Sequence, residues 1–66
     1  MEIISDKINE RDAAARLNLT VSTLRKWRLH GRGPSYYRIA GRAIRYSIAD
    51  LDGFMAAQRV DLAHKQ

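Results

Sequence analysis

The sequence predicts a small, mainly α domain of three helices and one two-stranded β-hairpin. Three observations carry this. Apolar residues recur at helical spacing in three stretches, each preceded by a capping residue: Asn9, Thr20 and Ser47. The stretch "YYRIAGRAIRY", residues 36–46, instead alternates over two short runs on either side of "AGRA". A chain of 66 residues with no cysteine has material for one core, no disulfide staple and no second domain. Residues 1–7 read as a short leader, 8–60 as the folded domain and 61–66 as a fraying tail.

The first helix follows Asn9, with Asp12 three residues on as its capping partner and Ile8 and Ala13 at staple spacing. Ala13, Ala14 and Leu17 form its apolar face, and alanines this dense let another helix approach closely. Asn18 tolerates a left-handed backbone and ends the helix, Leu19 is expected to plug the corner, and Thr20 caps the next helix. That second helix, "VSTLRKWRLH", is ended by Gly31. Val21, Leu24 and Trp27 face the core, while Ser22, Arg25, Lys26 and Leu29 face outward. Two short helices joined by so tight a turn, with a basic outward face on the second, make a helix-turn-helix.

"GRGP" breaks the chain before the hairpin. Pairing Tyr37 with Tyr46 and Ile39 with Ile44 puts all four on one face and Arg38 with Arg45 on the other. "AGRA" is the loop, where Gly41 supplies positive φ. A two-stranded hairpin is unstable alone, so it is expected to pack on the helices as a wing. The last helix starts at Ser47 with Asp50 completing a capping box, and Tyr46 and Leu51 stand at staple spacing. Ile48, Leu51, Phe54 and Met55 form its inward stripe, and Gly53 within it implies close packing.

Charge narrows the function. From Arg11 to Tyr46 there are nine basic residues and a single acid, Asp12, against a net charge of +5 for the whole chain. A basic middle between acidic ends is the footprint of a polyanion partner, and arginine, the better phosphate and groove ligand, outnumbers lysine. The histidines, His30 and His64, lack partners at metal-ligand spacing, and no metal or cofactor is expected. No nucleophile with an orienting partner, acid–base pair or phosphate loop is evident, which argues against an enzyme. No apolar run approaches the roughly 20 residues of a membrane span, and "MEIISDKINE" lacks the order of a signal peptide. A soluble, intracellular protein is expected.

The run "DAAARLNLTVSTLRKWRLHGRGPSYYRIAGRAIRYSIADLDGFMAA" resembles the small winged helix-turn-helix family of phage-type excisionases and AlpA-like regulators, related to the DNA-binding head of MerR proteins. The shared features are the Ala-rich first helix, Thr23-Leu24 followed by Trp27, the "GRGP" link, the "YYRI…GR…IRY" wing and the "SIADLDGF" helix. Asn18 stands where glycine is usual. Leu29 stands where a polar residue is usual; it could touch a thymine methyl, meet a neighbouring protomer or fold back on the wing.

The resemblance implies a non-enzymatic protein of the bacterial cytoplasm that binds double-stranded DNA. The second helix would lie in the major groove, with Thr20 and Thr23 on phosphates and Ser22, Arg25 and Lys26 on base edges or nearby phosphates. Arg25 is the first choice for reading a guanine. Arg28 suits a phosphate or an intramolecular role equally. The wing would enter the minor groove through Arg42, kept thin by Gly41, with Arg38 and Arg45 on flanking phosphates. Trp27, Tyr37 and Tyr46 are expected in the core rather than as stacking platforms.

Two functions fit. One is an excisionase, or recombination directionality factor, that binds adjacent attachment sites, bends the DNA and helps a tyrosine- or serine-type integrase excise a mobile element such as a prophage. The other is an AlpA-like transcriptional regulator on a promoter. With no heptad run after the last helix, a monomer associating side by side on DNA is expected. RNA binding would call for aromatics exposed on a sheet, and here they are expected to back the wing.

Overall fold

In the computed structural model, which describes residues 6–62, the chain runs β1 (Lys7–Ile8), α1 (Glu10–Leu17), α2 (Val21–Leu29), β2 (Tyr37–Ile39), β3 (Ala43–Ser47) and α3 (Ile48–Ala57). Each helix starts where its cap predicts. Asn9, Thr20 and Ser47 have extended backbones, and their side chains accept from the amides of Asp12, Thr23 and Asp50. The ends of α1 and α2 also share a device. Asn18, at φ 59°, donates to Ala15 O at 3.0 Å while Leu19 donates to Ala14 O at 2.8 Å. At the end of α2, Gly31 donates to Arg28 O at 3.1 Å and Arg32 to Trp27 O at 2.9 Å. This paired closure is the Schellman motif, which satisfies carbonyls a helix end would leave open.

The core joins every layer. Ala13, Ala14 and Leu17 of α1 are buried with Leu24 of α2, Tyr46 of β3 and Leu51 of α3. Ile8, Val21, Trp27, Tyr36 and Ile44 pack against them. Fully burying a leucine such as Leu24 or Leu51 stabilises the fold by about 1.5–3 kcal/mol. Trp27 meets Phe54 with ring centroids 5.7 Å apart, closing α2 on α3. Arg16 grips Asp52 with two hydrogen bonds, 3.0 and 3.1 Å, so α1 also holds α3 at the surface.

The sheet departs from expectation in two ways. It has three strands in the order β1-β3-β2, all antiparallel, because Lys7 and Ile8 pair with Ser47 and Tyr46. No strand is predicted there, and Lys7 reads as leader. Asp6 reinforces the junction: its carbonyl accepts from the Ile48 amide at 2.8 Å and its carboxylate from the Ser47 hydroxyl at 2.8 Å. Residues 1–5 of the leader and 63–66 of the tail, His64 included, lie outside the described residues.

The hairpin register is the second departure. Tyr37 pairs with Arg45, Arg38 with Ile44 and Ile39 with Ala43, rather than Tyr37 with Tyr46 and Ile39 with Ile44. A one-residue slip turns every β2 side chain to the other face. Tyr36 now meets the Tyr46 ring, at 6.0 Å, while Tyr37 and Ile39 are 45% and 50% exposed. Arg38 and Arg45 lie on opposite faces instead of together. The turn is three residues, Ala40–Arg42, with positive φ at Ala40 (54°) and Gly41 (75°). The adopted register stacks Tyr36 under the Arg28 guanidinium at 5.7 Å and leaves Tyr37 beneath the Lys7 ammonium at 5.0 Å, so both tyrosines gain a cation.

Three smaller expectations also change. Met55 is 46% exposed at the rim of a shallow groove floored by Leu17, Trp27 and Phe54, so the α3 stripe is narrower than its sequence suggests. Gly53 faces open space, with nothing within 4 Å of where a Cβ would stand. Leu19 does not plug the corner but stays more than a third exposed.

Candidate nucleic-acid interface

Five of the arginines scattered from 11 to 45 converge in space. An open cleft of about 880 Å³ separates the start of α1 and the face of α2 from the wing, and it is lined by Arg11, Arg25, Arg28, Arg42 and Arg45 with one carboxylate, Glu10. The sequence expectation joins α2 and the wing but contains neither Glu10 nor Arg11. Glu10 lies fifteen positions before Arg25, beyond any helical or strand period that could link them.

Arg25 is held across the cleft edge. Its Nε donates to Glu10 Oε2 at 3.0 Å and its Nη2 to the same oxygen. Glu10 Oε1 lies 3.1 Å from Arg28 Nη1, an ion pair that is not aligned as a hydrogen bond. Arg28 itself is turned inward and donates from Nη1 to the buried Tyr46 hydroxyl at 3.0 Å. Of the two roles its position suggested, the intramolecular one is therefore filled. The Arg25 hydrogen bond, helped by Arg28 and opposed by partial burial, holds the Glu10 carboxyl below its ordinary value. The Glu10 hydrogen bond correspondingly raises the Arg25 guanidinium.

The remaining candidates divide by what already occupies them. Thr20 Oγ1 accepts from the Thr23 amide at 3.1 Å and lies 3.0 Å from Thr23 Oγ1, so the two hydroxyls engage each other at the start of α2. Ser22 and Lys26 are exposed on the same helix. Gly41 and Arg42 stand exposed at the wing tip, with the Arg42 amide closing the turn onto Ile39 O at 3.1 Å. Arg45 folds back, donating from Nη1 to Ile44 O at 2.8 Å. Arg38 lies over the Tyr36 ring at 5.9 Å, away from the cleft lining. Leu29 is 81% exposed, which removes the option that it folds back on the wing.

A second helix exposed after a tight turn, beside a hairpin that borders the same cleft, defines a winged helix-turn-helix protein. The chain belongs to the helix-turn-helix domain family, whose model matches residues 10–59 and which contains the excisionase and AlpA-like small proteins. A domain of this family points to DNA binding. Comparison with curated proteins gives no match. Among the described residues, no helix is long and apolar enough to cross a membrane, and no three of His, Asp or Glu are grouped to hold a metal ion.

Proposed function

We propose that the protein binds double-stranded DNA with sequence preference, laying α2 in the major groove and the β2–β3 wing in the adjacent minor groove. The observation that supports this reading is the shared cleft: arginines of α2 and of the wing line one concave, open surface, as a curved polyanion requires. Arg25 reads a guanine edge, with Ser22 and Lys26 beside it, and the Thr20–Thr23 hydroxyl pair at the start of α2 faces phosphate. Arg42 enters the minor groove over Gly41, and Arg38 and Arg45 swing out to flanking phosphates. Arg28 supports the site from behind.

Within this reading the protein acts as an excisionase. It binds adjacent sites in an attachment region in the bacterial cytoplasm, associates with neighbouring copies on DNA, bends it and directs a tyrosine- or serine-type integrase toward excision, performing no covalent chemistry itself. Membership of a family that contains excisionase-like proteins supports this. The same family contains AlpA-like regulators, which supports promoter control as the second reading. Footprinting across the protein's own genetic locus, with random duplex as competitor, tests both. Adjacent protections phased by one helical turn at an attachment region are expected; a single protection over a promoter would favour the regulator. Binding no tighter than to random duplex would overturn DNA readout altogether.

A further inference from the structure

The route from Tyr46 through Arg28 and Glu10 to Arg25 runs from the fully buried core to an exposed arginine. We infer that Glu10 is a positioning residue for sequence readout, fixing the plane of the Arg25 guanidinium so that one defined edge faces a base; this rests on the reading that Arg25 contacts DNA.

The donor inventory carries the inference. Arginine has five N–H donors in a fixed fork. Glu10 Oε2 takes the Nε donor and one Nη2 donor, which leaves the end-on pair, one hydrogen each on Nη1 and Nη2, pointing away from the carboxylate. That pair matches the two acceptors, O6 and N7, of a guanine in the major groove. The carboxylate is itself fixed, because its other oxygen is paired with Arg28, which is hydrogen-bonded to Tyr46. A free arginine on a helix face samples many rotamers; this one is ordered before it meets DNA.

The same geometry argues against the opposite role, that of a carboxylate latch displaced by phosphate. The Glu10 side chain is 22% exposed and that of Arg25 62%, so a phosphate approaching from solvent meets the guanidinium first, with the carboxylate behind it. Glu10 then has two separable effects. It sharpens readout through Arg25, and as the one acid in the cleft lining it weakens sequence-independent attraction for the backbone.

The test uses the full chain. The wild type selects a preferred duplex from a randomised pool. Affinities for that duplex and for random duplex are then measured at one salt concentration for the wild type, Glu10→Gln, Tyr46→Phe and Arg25→Ala, with circular dichroism confirming folding. For Glu10→Gln the preferred-to-random ratio is expected to fall by about tenfold, the scale of losing one fixed bidentate contact, while random-duplex binding holds or tightens. A merely structural role would weaken both duplexes together. Tyr46→Phe keeps the core volume and removes the distal anchor, so a smaller fall in the same direction is expected. Should Glu10→Gln unfold, Tyr46→Phe decides. A ratio that stays at the wild-type value in the folded variants, or tightening on both duplexes in proportion, overturns the positioning role. If no sequence is enriched, or Arg25→Ala leaves the ratio intact, it is the DNA-readout reading that fails, and the role of Glu10 falls with it.

Discussion

A β-carbon at Gly33 would stand 2.8 Å from Trp27 Cε3 and 3.1 Å from Trp27 Cβ, so the link after α2 lies flat against the indole. Gly33 also sits at φ 93°, a backbone region costly for any other residue. The contact lets the chain double back from the end of α2 toward the wing.

Gly33→Ala is therefore expected to destabilise the domain by about 1–3 kcal/mol, from strain and from displacement of the indole. Urea unfolding followed by Trp27 fluorescence measures it. Gly53→Ala is the control: it adds a methyl to open space in a helix and should stabilise by up to about 1 kcal/mol. Equal effects at the two positions would contradict the packing described for Trp27.

The wing register makes a second prediction. Ile44→Ala removes a side chain packed on the core and should cost about 2 kcal/mol or more. Ile39→Thr acts on the exposed face and should stay within about 0.5 kcal/mol. Losses of similar size in chemical denaturation would restore the pairing of Ile39 with Ile44.

For DNA, Arg25→Ala should cost about 1–3 kcal/mol on a preferred duplex and relax discrimination at one position. Arg42→Ala, at the exposed wing tip, should weaken binding to all duplexes alike and lower the salt slope by about 1. Titrations at several salt concentrations separate the two. A loss confined to folding stability in either variant would sink its assigned role.

Stability should fall in acid. Asp6, Glu10 and Asp52 all have lowered carboxyl pKa values, through hydrogen bonds to Lys7, Arg25 and Arg16 respectively. A carboxyl depressed in the folded state contributes stability that is complete above its unfolded pKa and is lost as pH drops through the folded value. The urea midpoint should thus hold from neutral pH down to about 5 and decline below about 4, near the ordinary carboxylate range. Glu10→Gln should show a shallower decline, and an identical pH profile would deny Glu10 a share.

The parts of this protein legible in its sequence are those decided within about four residues. Asn9, Thr20 and Ser47 cap helices whose amides lie three positions on, and Asn18 ends α1 because few other residues adopt its left-handed φ. The inward faces at Ala13, Ala14, Leu17, Leu24 and Leu51 follow from the 3.6-residue period. The gathering of basic charge between Arg11 and Arg45 is legible as composition, and so is the class of partner it suits.

Tertiary structure alone decided the rest. Adjacent Tyr36 and Tyr37 permit two hairpin registers; alternation alone favours the one with Tyr37 and Ile39 inward, but contacts from elsewhere decide for the other: Tyr46 and Arg28 take Tyr36, and Lys7 takes Tyr37. Met55 carries the periodicity of a core residue yet ends nearly half exposed at the rim of a groove it shares with Leu17, Trp27 and Phe54. Glu10 is an acid in the first turn of α1, with Asp12, at the positive end of the helix dipole. Only the crossing of α1 and α2 brings its carboxylate between Arg25 and Arg28, since an ion pair spanning fifteen residues depends on packing angle, which no local period encodes.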